Sequence, residues 1–400
     1  MRRGGGLPLG VLLGLVAVAT ALGVALRVGE RGAAAPPVAA GLSVVAALGG
    51  LTDPGFARAT APRPFAFPAD HGPHPAFRTE WWYWTGNLTG RGEGAGRRFG
   101  FQLTFFRTAV AATPPPRASA WATRDVYLAH FALTDVGGRR FHAAERWSRA
   151  ALGLAGARAA PFRVWLASWA AAATGPGGWP LRLEAAAGDA GIALALSPAK
   201  PPVLQGERGL SRKGPAPGQA SYYYSLTRMP VAGTVRLASA TIPVEGLAWM
   251  DREWSTSALG SEQVGWDWFA LQLDDGRELM LYRLRRRDGS VDPASAGTLV
   301  ARDGAARSLA AGDADVEVLA RWTSPRDGTR YPARWRLGVP SAGLALTVTP
   351  WLPDQEVQLG VRYWEGAVRV EGSAGDRPVS GAGYVELVGY ATPADEAVRQ

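Results

Sequence analysis

From about Phe65 onward, short runs of aromatic and β-branched residues are separated by clusters of Gly, Pro and Asp. That is the pattern of an all-β chain. Residues 80–88 predict one strand. On extended backbone Trp82, Trp84, Gly86 and Leu88 share one face, and Trp81, Tyr83, Thr85 and Asn87 share the other. A Gly-rich turn over 90–96 leads to a second strand at 99–107, and 123–134 predicts a third. Further strands are expected at 163–169, 181–185 and 192–196. A Pro/Gly-rich polar loop over 201–219 follows, then strands at 222–228, 233–237 and 242–246. Residues 266–273, the turn Asp274-Asp275-Gly276 and residues 278–286 predict a β-hairpin. Strands recur at 315–322, 330–339, 344–350, 363–370 and 379–388, and no long helix is evident past the first 30 residues.

Two hairpins resemble each other. WWYWTGNL, a Gly-rich turn and FGFQLTFFR match in kind WDWFALQL, DDG and ELMLYRLRR. Each is an aromatic strand, a turn and a strand ending in Arg. This predicts two β-barrel domains in tandem, residues 65–245 and 246–395. Ahead of them Met1–Arg3 is basic and residues 7–26 are apolar without charge. Residues 1–30 therefore read as a secretory signal or a membrane anchor, since an apolar run of about 20 residues can span a bilayer. Residues 31–64 read as an Ala/Gly/Pro-rich linker.

Composition narrows the chemistry. With 47% hydrophobic residues in 400, the chain is globular and long enough for two domains. Its formal charge is +9, but only Lys200 and Lys213 are lysine, so 41 of the 43 basic residues are Arg. Arg in place of Lys, with abundant Ala and Gly, is a compositional bias. No basic run is interleaved with aromatics, so nucleic acid is not an expected partner; an anionic membrane surface is compatible with the charge. There is no Cys, which excludes disulfides, thiolate catalysis and Cys-ligated zinc. No Gly-x-Ser-x-Gly elbow and no phosphate-cradling Gly loop is present.

The richest stretch is 246–276, with four of the 16 Trp and the acids Asp251 and Glu253 in what reads as a short polar turn. A carboxyl among Trp rings is desolvated, holds its proton toward neutrality and can act as an acid. The alternative is that Asp251 caps a turn through backbone N–H groups and Glu253 pairs with Arg252. Tyr222 and Tyr224 point one way on a strand and Tyr223 the other. Inward phenols can orient a carboxyl or a water, or simply fill a core. Asp70-His71-Gly72-Pro73-His74 and Glu80 raise the question of metal, but Gly72 and Pro73 argue against a helix and no zinc-protease spacing is present. No metal is expected, and His71, His74 and Asp70 read as fixing a loop.

DHGPHPAFRTEWWYWTG, SYYYSLTRM, AWMDREWS and WDWFALQLDDGRELMLY together resemble the AttH/carotenoid 1,2-hydratase family, which includes members labelled secreted hydrolases. The resemblance spans about residue 65 to the C-terminus. It implies a pair of lipocalin-like barrels, often exported, in some genomes beside an ABC-transporter permease. The hydratase relatives add water to the terminal double bond of acyclic carotenoids without a cofactor; fungal relatives of the fold catalyse cycloadditions. By resemblance Asp251 is the alkene-protonating acid. Trp249 stands where those hydratases carry Tyr, and Tyr222 and Tyr224 stand where they carry His and Trp. The expected catalytic residues are thus Asp251, Tyr222, Tyr224 and Trp249. The expected ligand contacts are Glu80, Trp82, Trp84, Glu253, Trp254, Trp266, Trp268 and Gln272. The expected ligand is a long apolar lipid or isoprenoid, with no cofactor. Two other functions fit the same residues: a non-catalytic lipid carrier serving a membrane export system, and a secreted hydrolase.

Overall fold

The computed structural model describes residues 55–391, apart from 115, 117, 176, 177, 257 and 258. The expected signal or anchor segment and most of the linker lie outside the described residues. Among those described, no helix is long and apolar enough to cross a membrane.

The first sheet contains β1 (Thr79–Gly90), β2 (Arg98–Ala109), β3 (Asp125–Asp135), β4 (Arg140–Arg149), β5 (Ala155–Ala159), β6 (Phe162–Leu166), β7 (Trp169–Ala173), β8 (Leu181–Ala187), β9 (Ala190–Leu196), β10 (Val203–Leu204), β11 (Leu210–Arg212), β12 (Ala220–Leu237) and β13 (Ala240–Ser255). Its order is β4-β3-β2-β1-β13-β12-β9-β8-β7-β6-β5, with β10 and β11 paired to β12. The second sheet contains β14 (Gln263–Leu273), β15 (Glu278–Arg286), β16 (Ala296–Val300), β17 (Ala306–Ala310), β18 (Asp315–Thr323), β19 (Arg330–Val339), β20 (Leu344–Pro350), β21 (Glu356–Gln358), β22 (Arg362–Ala374) and β23 (Arg377–Val388). Its order is β17-β16-β15-β14-β23-β22-β20-β19-β18, with β21 on β22. The chain is all-β, a nearly closed barrel and a half-barrel sheet.

Several expected elements differ. The expected strand 163–169 is two strands, β6 and β7, turned at Ala167, whose φ of 53° is left-handed. The expected strands 222–228 and 233–237 are one, β12, with a register irregularity between Leu226 and Met229. Strands β4, β5, β16 and β17 were not expected, because their Ala-, Gly- and Arg-rich sequences lack a regular apolar alternation. The break between the halves also moves. Residue 246 lies inside β13, which pairs with β1 on one side and β12 on the other as far as Ser255. The chain enters the second sheet only at Gln263. Asp251 and Glu253 thus lie on a central strand of the first sheet, not in a turn opening the second.

Strand alternation divides the side chains between two environments. Trp82 and Trp84 of β1 and Met250 and Trp254 of β13 enter the first sheet's own core with Phe101, Phe131 and Trp169. Tyr83, Tyr223 and Trp249 project from the other face and pack with Trp268, Tyr282 and Tyr384 of the second sheet. The second sheet keeps its own core around Phe269, Trp335 and Trp364. The layers meet closely at Gly100, where a Cβ would collide with the Cβ of Ala367. Latches tie them: Asn87 Nδ2 donates to Gly383 O at 2.9 Å, and Gln272 Nε2 donates to Thr227 O at 2.8 Å and Ala248 O at 2.9 Å. Lys200 Nζ lies 2.8 Å from the buried Glu278, which also accepts from Arg228 at 2.5 Å.

Within the first core, fully buried Glu80 is clasped by Arg107 and Arg252 and accepts from the His74 N–H at 2.9 Å. Burial opposes its charge, but Arg252, His74 and Arg107 hold its carboxyl well below the usual range. A carboxylate with a depressed folded pKa contributes stability above its unfolded pKa and loses it as pH falls toward the folded one. Removing one partner of a buried pair costs about 3–5 kcal/mol. Glu80→Gln is expected to lower the unfolding free energy from urea titration at pH 7 by that order, moving the midpoint down, and to flatten the acid limb of the stability curve. Equal urea midpoints for wild type and variant at pH 7 would contradict the assignment.

Candidate functional site

A cavity of ≈ 170 Å³ lies between the facing surfaces of the two sheets. The first sheet contributes Trp81, Tyr83, Phe106, His130, Tyr223 and Asp251; the second contributes Trp266, Trp268, Tyr282, Tyr363 and Glu386. The register explains this assembly. Cross-strand partners share a face, and Asp251 pairs with Tyr83 on β1 and Ser225 on β12, while Glu253 pairs with Trp81 and Tyr223. One parity of three adjacent strands therefore builds one wall.

Asp251 is buried and accepts three hydrogen bonds. Ser225 Oγ and Trp249 Nε1 donate to Oδ1 at 2.5 and 2.7 Å, and the Tyr223 hydroxyl donates to Oδ2 at 2.7 Å. Trp268 Nε1 in turn reaches the Tyr223 oxygen at 3.3 Å. Burial dominates these donors and raises the carboxyl to about 7. Its neighbour Glu253 has different partners: it accepts from Ser221 Oγ and lies 3.4 Å from Lys213 Nζ. Lys213 sits over the Tyr282 ring at 4.1 Å. Burial works against its charge, but Glu253, Tyr282 and Asp251 raise its pKa. Neither carboxyl behaves as the turn alternative required, since Asp251 takes side-chain donors and Arg252 pairs with Glu80 instead of Glu253.

The opposite wall carries a second pair of acids. Glu365 and Glu386 are cross-strand neighbours on β22 and β23. Tyr83 donates to Glu365 Oε1 at 2.7 Å, and Trp266 Nε1 donates to Glu386 Oε1 at 2.6 Å. Burial raises both: Glu386 to about 7, and Glu365 well above the carboxylate range with Glu386 adding to the effect. Two carboxyls this close cannot both ionise, so the pair holds a proton.

A third group is a relay of Glu145, His130 and Tyr363. Glu145 Oε2 lies 2.9 Å from His130 Nε2, and the Tyr363 hydroxyl lies 2.7 Å from His130 Nδ1. Burial works against charge on Glu145, but His130 and Trp147 outweigh it and hold the carboxyl low. Glu145 therefore accepts from Nε2–H, and the Tyr363 hydroxyl donates to Nδ1. Gln102 Nε2 donates to the same phenol oxygen at 3.2 Å. Among the described residues no group of three or more His, Asp and Glu has the arrangement of a metal site. His71 bonds Tyr224 and His74 bonds Asp70 and Glu80, so the two turn away from each other.

The AttH-like family profile matches residues 58–390. The chain belongs to the AttH-like family. An AttH protein of Nitrosomonas europaea, known from its crystal structure, is 34% identical, with a TM-score of 0.73 over 84% of this chain and all of its own. Kievitone hydratase from Nectria haematococca is 13% identical with a TM-score of 0.62, covering 85% of this chain and 99% of its own; at that identity it shows the fold alone. No curated protein sequence matches the chain.

Against this geometry, the expected site residues of this AttH-like chain separate. Asp251, Glu253, Trp266 and Trp268 line the cavity, and Trp249 holds Asp251. Tyr222 and Tyr224 do not face Asp251. They enter the first core, where Tyr222 donates to Ala61 O at 2.8 Å and Tyr224 meets His71. Tyr223, of the other parity, takes their place. Glu80, Trp82, Trp84 and Trp254 are core residues of the first sheet, and Gln272 is an inter-sheet latch. Sequence reasoning missed Tyr223, Lys213, His130, Glu145, Tyr363, Glu365 and Glu386. A signal existed for some: His130 in LAHFAL, Glu365 in YWEGAV and Glu386 in YVELV are each the one acid or imidazole in an otherwise apolar or aromatic run.

The raised Asp251 pKa has a stability consequence. A carboxyl whose folded pKa exceeds its unfolded value contributes stability below that unfolded value, 3.8, and loses it as pH rises through about 7. Asp251→Asn mimics the protonated form. It is expected to lose less stability than wild type between pH 5 and pH 8 in urea titrations. In infrared spectra of wild type, a protonated-carboxyl stretch should persist below pH 7 and shrink in the variant. An unchanged spectrum would show Asp251 ionised throughout.

Proposed function

We propose that this protein is a cofactor-free hydratase that adds water to the alkene end of an isoprenoid or similar apolar chain. The observation that carries the reading is Asp251, an acid held near neutrality on an aromatic cavity wall. A cavity of roughly 150 Å³ holds a benzene-sized molecule, so ≈ 170 Å³ takes the reacting terminus of a chain and leaves its length outside. Half-exposed Trp147, at 50%, stands at the rim where that length would emerge.

The chemistry balances with residues of this chain. Asp251 gives its proton to one alkene carbon, and positive charge develops on the other. The faces of Trp81 and Trp268 stabilise that cation. Water then attacks, and its surplus proton passes through the Tyr363 hydroxyl to His130 Nδ1 while Glu145 balances the imidazolium. One H and one OH have been added; return of the proton from His130 to Asp251 through water resets the site. A positioned acid contributes typically 10²–10⁴-fold. The kievitone hydratase name of one structural neighbour is in keeping with a hydratase on this fold. We further propose that the chain is exported and that residues 7–26 keep it at the membrane from which an apolar substrate is drawn; an ABC-transporter permease is a fitting partner there.

The test incubates the full chain with a membrane-lipid and acyclic-terpenoid extract in ¹⁸O-water and follows mass spectra. Wild type is expected to convert a bound species to one heavier by one labelled water. Asp251→Asn should bind the same species and lose turnover by roughly 10²-fold or more. Turnover should also fall as pH rises through about 7. A species bound but unchanged by wild type would favour the carrier reading and make Asp251 structural.

A further inference from the structure

A second cavity, of ≈ 330 Å³, opens at the edge of the first sheet's own core. Phe162, Trp179, Leu181 and Met250 make it apolar, and among the described residues it shares no lining residue with the inter-sheet cavity. Among the described lining residues one carries a titratable side chain, His71, which is only 7% exposed. The rings of Trp179, Tyr224 and Phe162 lie 5.5, 5.7 and 6.3 Å from the imidazole.

The hydrogen bonds of His71 leave one valence for a guest. Its Nδ1 lies 2.6 Å from the Tyr224 hydroxyl. The other contact of that hydroxyl, to Asp70 O, is 3.5 Å, at the limit of a hydrogen bond. The phenol proton is therefore committed to Nδ1, and Nε2 carries the imidazole hydrogen. Among the described residues Nε2 has no hydrogen-bond partner. Burial, with help from Arg252, lowers His71 to about 4, so the ring is neutral under physiological conditions. A neutral N–H in an apolar cavity selects a neutral acceptor; among the described lining residues an anion would find no lysine or arginine, and the nearby Arg252 is already paired with Glu80.

We infer that this cavity is a second ligand site, for a small neutral apolar molecule whose single ketone, ester or alcohol oxygen accepts from His71 Nε2–H. Since roughly 150 Å³ suffices for benzene, this volume suits a guest of about ten heavy atoms. The site stands independently of the hydratase reading. It lies back to back with the hydratase cavity: Met250 and Tyr224 are one residue from Asp251 and Tyr223 on β13 and β12, facing the other way.

The test uses the full chain labelled with ¹⁵N-histidine and titrated with 2-decanone, with decane as the control lacking oxygen. The four histidines include one reporter for each cavity, His71 for this one and His130 for the other. Expected is saturable one-to-one binding of 2-decanone that shifts the His71 Nε2 resonance and leaves His130 unmoved. His71→Phe should weaken it roughly tenfold, as should removing the oxygen, each costing one hydrogen bond. Ala160→Trp, at an exposed rim position, should block it. Absence of saturable binding, equal affinity for decane, or a shift confined to His130 would overturn the site. If His71→Phe does not fold, Ala160→Trp and the decane comparison decide the matter alone.

Discussion

The carboxylate of Glu80 between Arg107 and Arg252 is the interaction on which the site depends. It joins β1, β2 and β13 inside the first core, and through His74 it fixes the loop that closes that core. Arg252 also donates to the Gly72 carbonyl at 2.6 Å and lies over the Trp82 ring at 4.0 Å. In the chain Arg252 stands between Asp251 and Glu253. Anchoring it inward, with no exposed surface and every strong partner on the core side, forces both neighbours outward to the inter-sheet wall. A slip of one residue would place the guanidinium in the aromatic cavity and both acids in the apolar core, each far costlier than the observed arrangement.

That dependence explains how much was legible in the sequence. The two faces of β1 follow directly from its alternation, and the hairpin at Asp274-Asp275-Gly276 follows from its turn residues. The parity of β12 does not follow, because three consecutive tyrosines look alike on both faces. Tyr222 and Tyr224 belong with Trp254 and Phe65 in the core, at ring distances of 5.9 and 6.0 Å. Tyr223 reaches Asp251 only through the β12–β13 register, which local sequence does not determine. The relay is harder still: His130 and Tyr363 are separated by 233 positions, and their meeting is a property of sheet-on-sheet packing. What local sequence did carry was the anomaly of a lone acid or imidazole in an apolar strand.

The protonation of the cavity follows from its charge inventory. Asp251, Glu253 and Glu386 line it, Glu365 is the cross-strand neighbour of Glu386, and among the described lining residues Lys213 is the single lysine or arginine. Lys213 lies against Glu253, and among the described residues neither Asp251 nor the Glu365–Glu386 pair has a cation at ion-pair distance. In a buried site such carboxyls take up protons instead of standing as bare anions. Three donors on Asp251 stop its pKa from climbing further, so it stays near neutrality, where an acid can both hold and release a proton. The same donors receive the anion once the proton has left. On the proposed hydratase reading, Asp251 is thus pre-organised for the charge left when its proton departs, while the aromatic walls suit the opposite charge that would develop on an alkene.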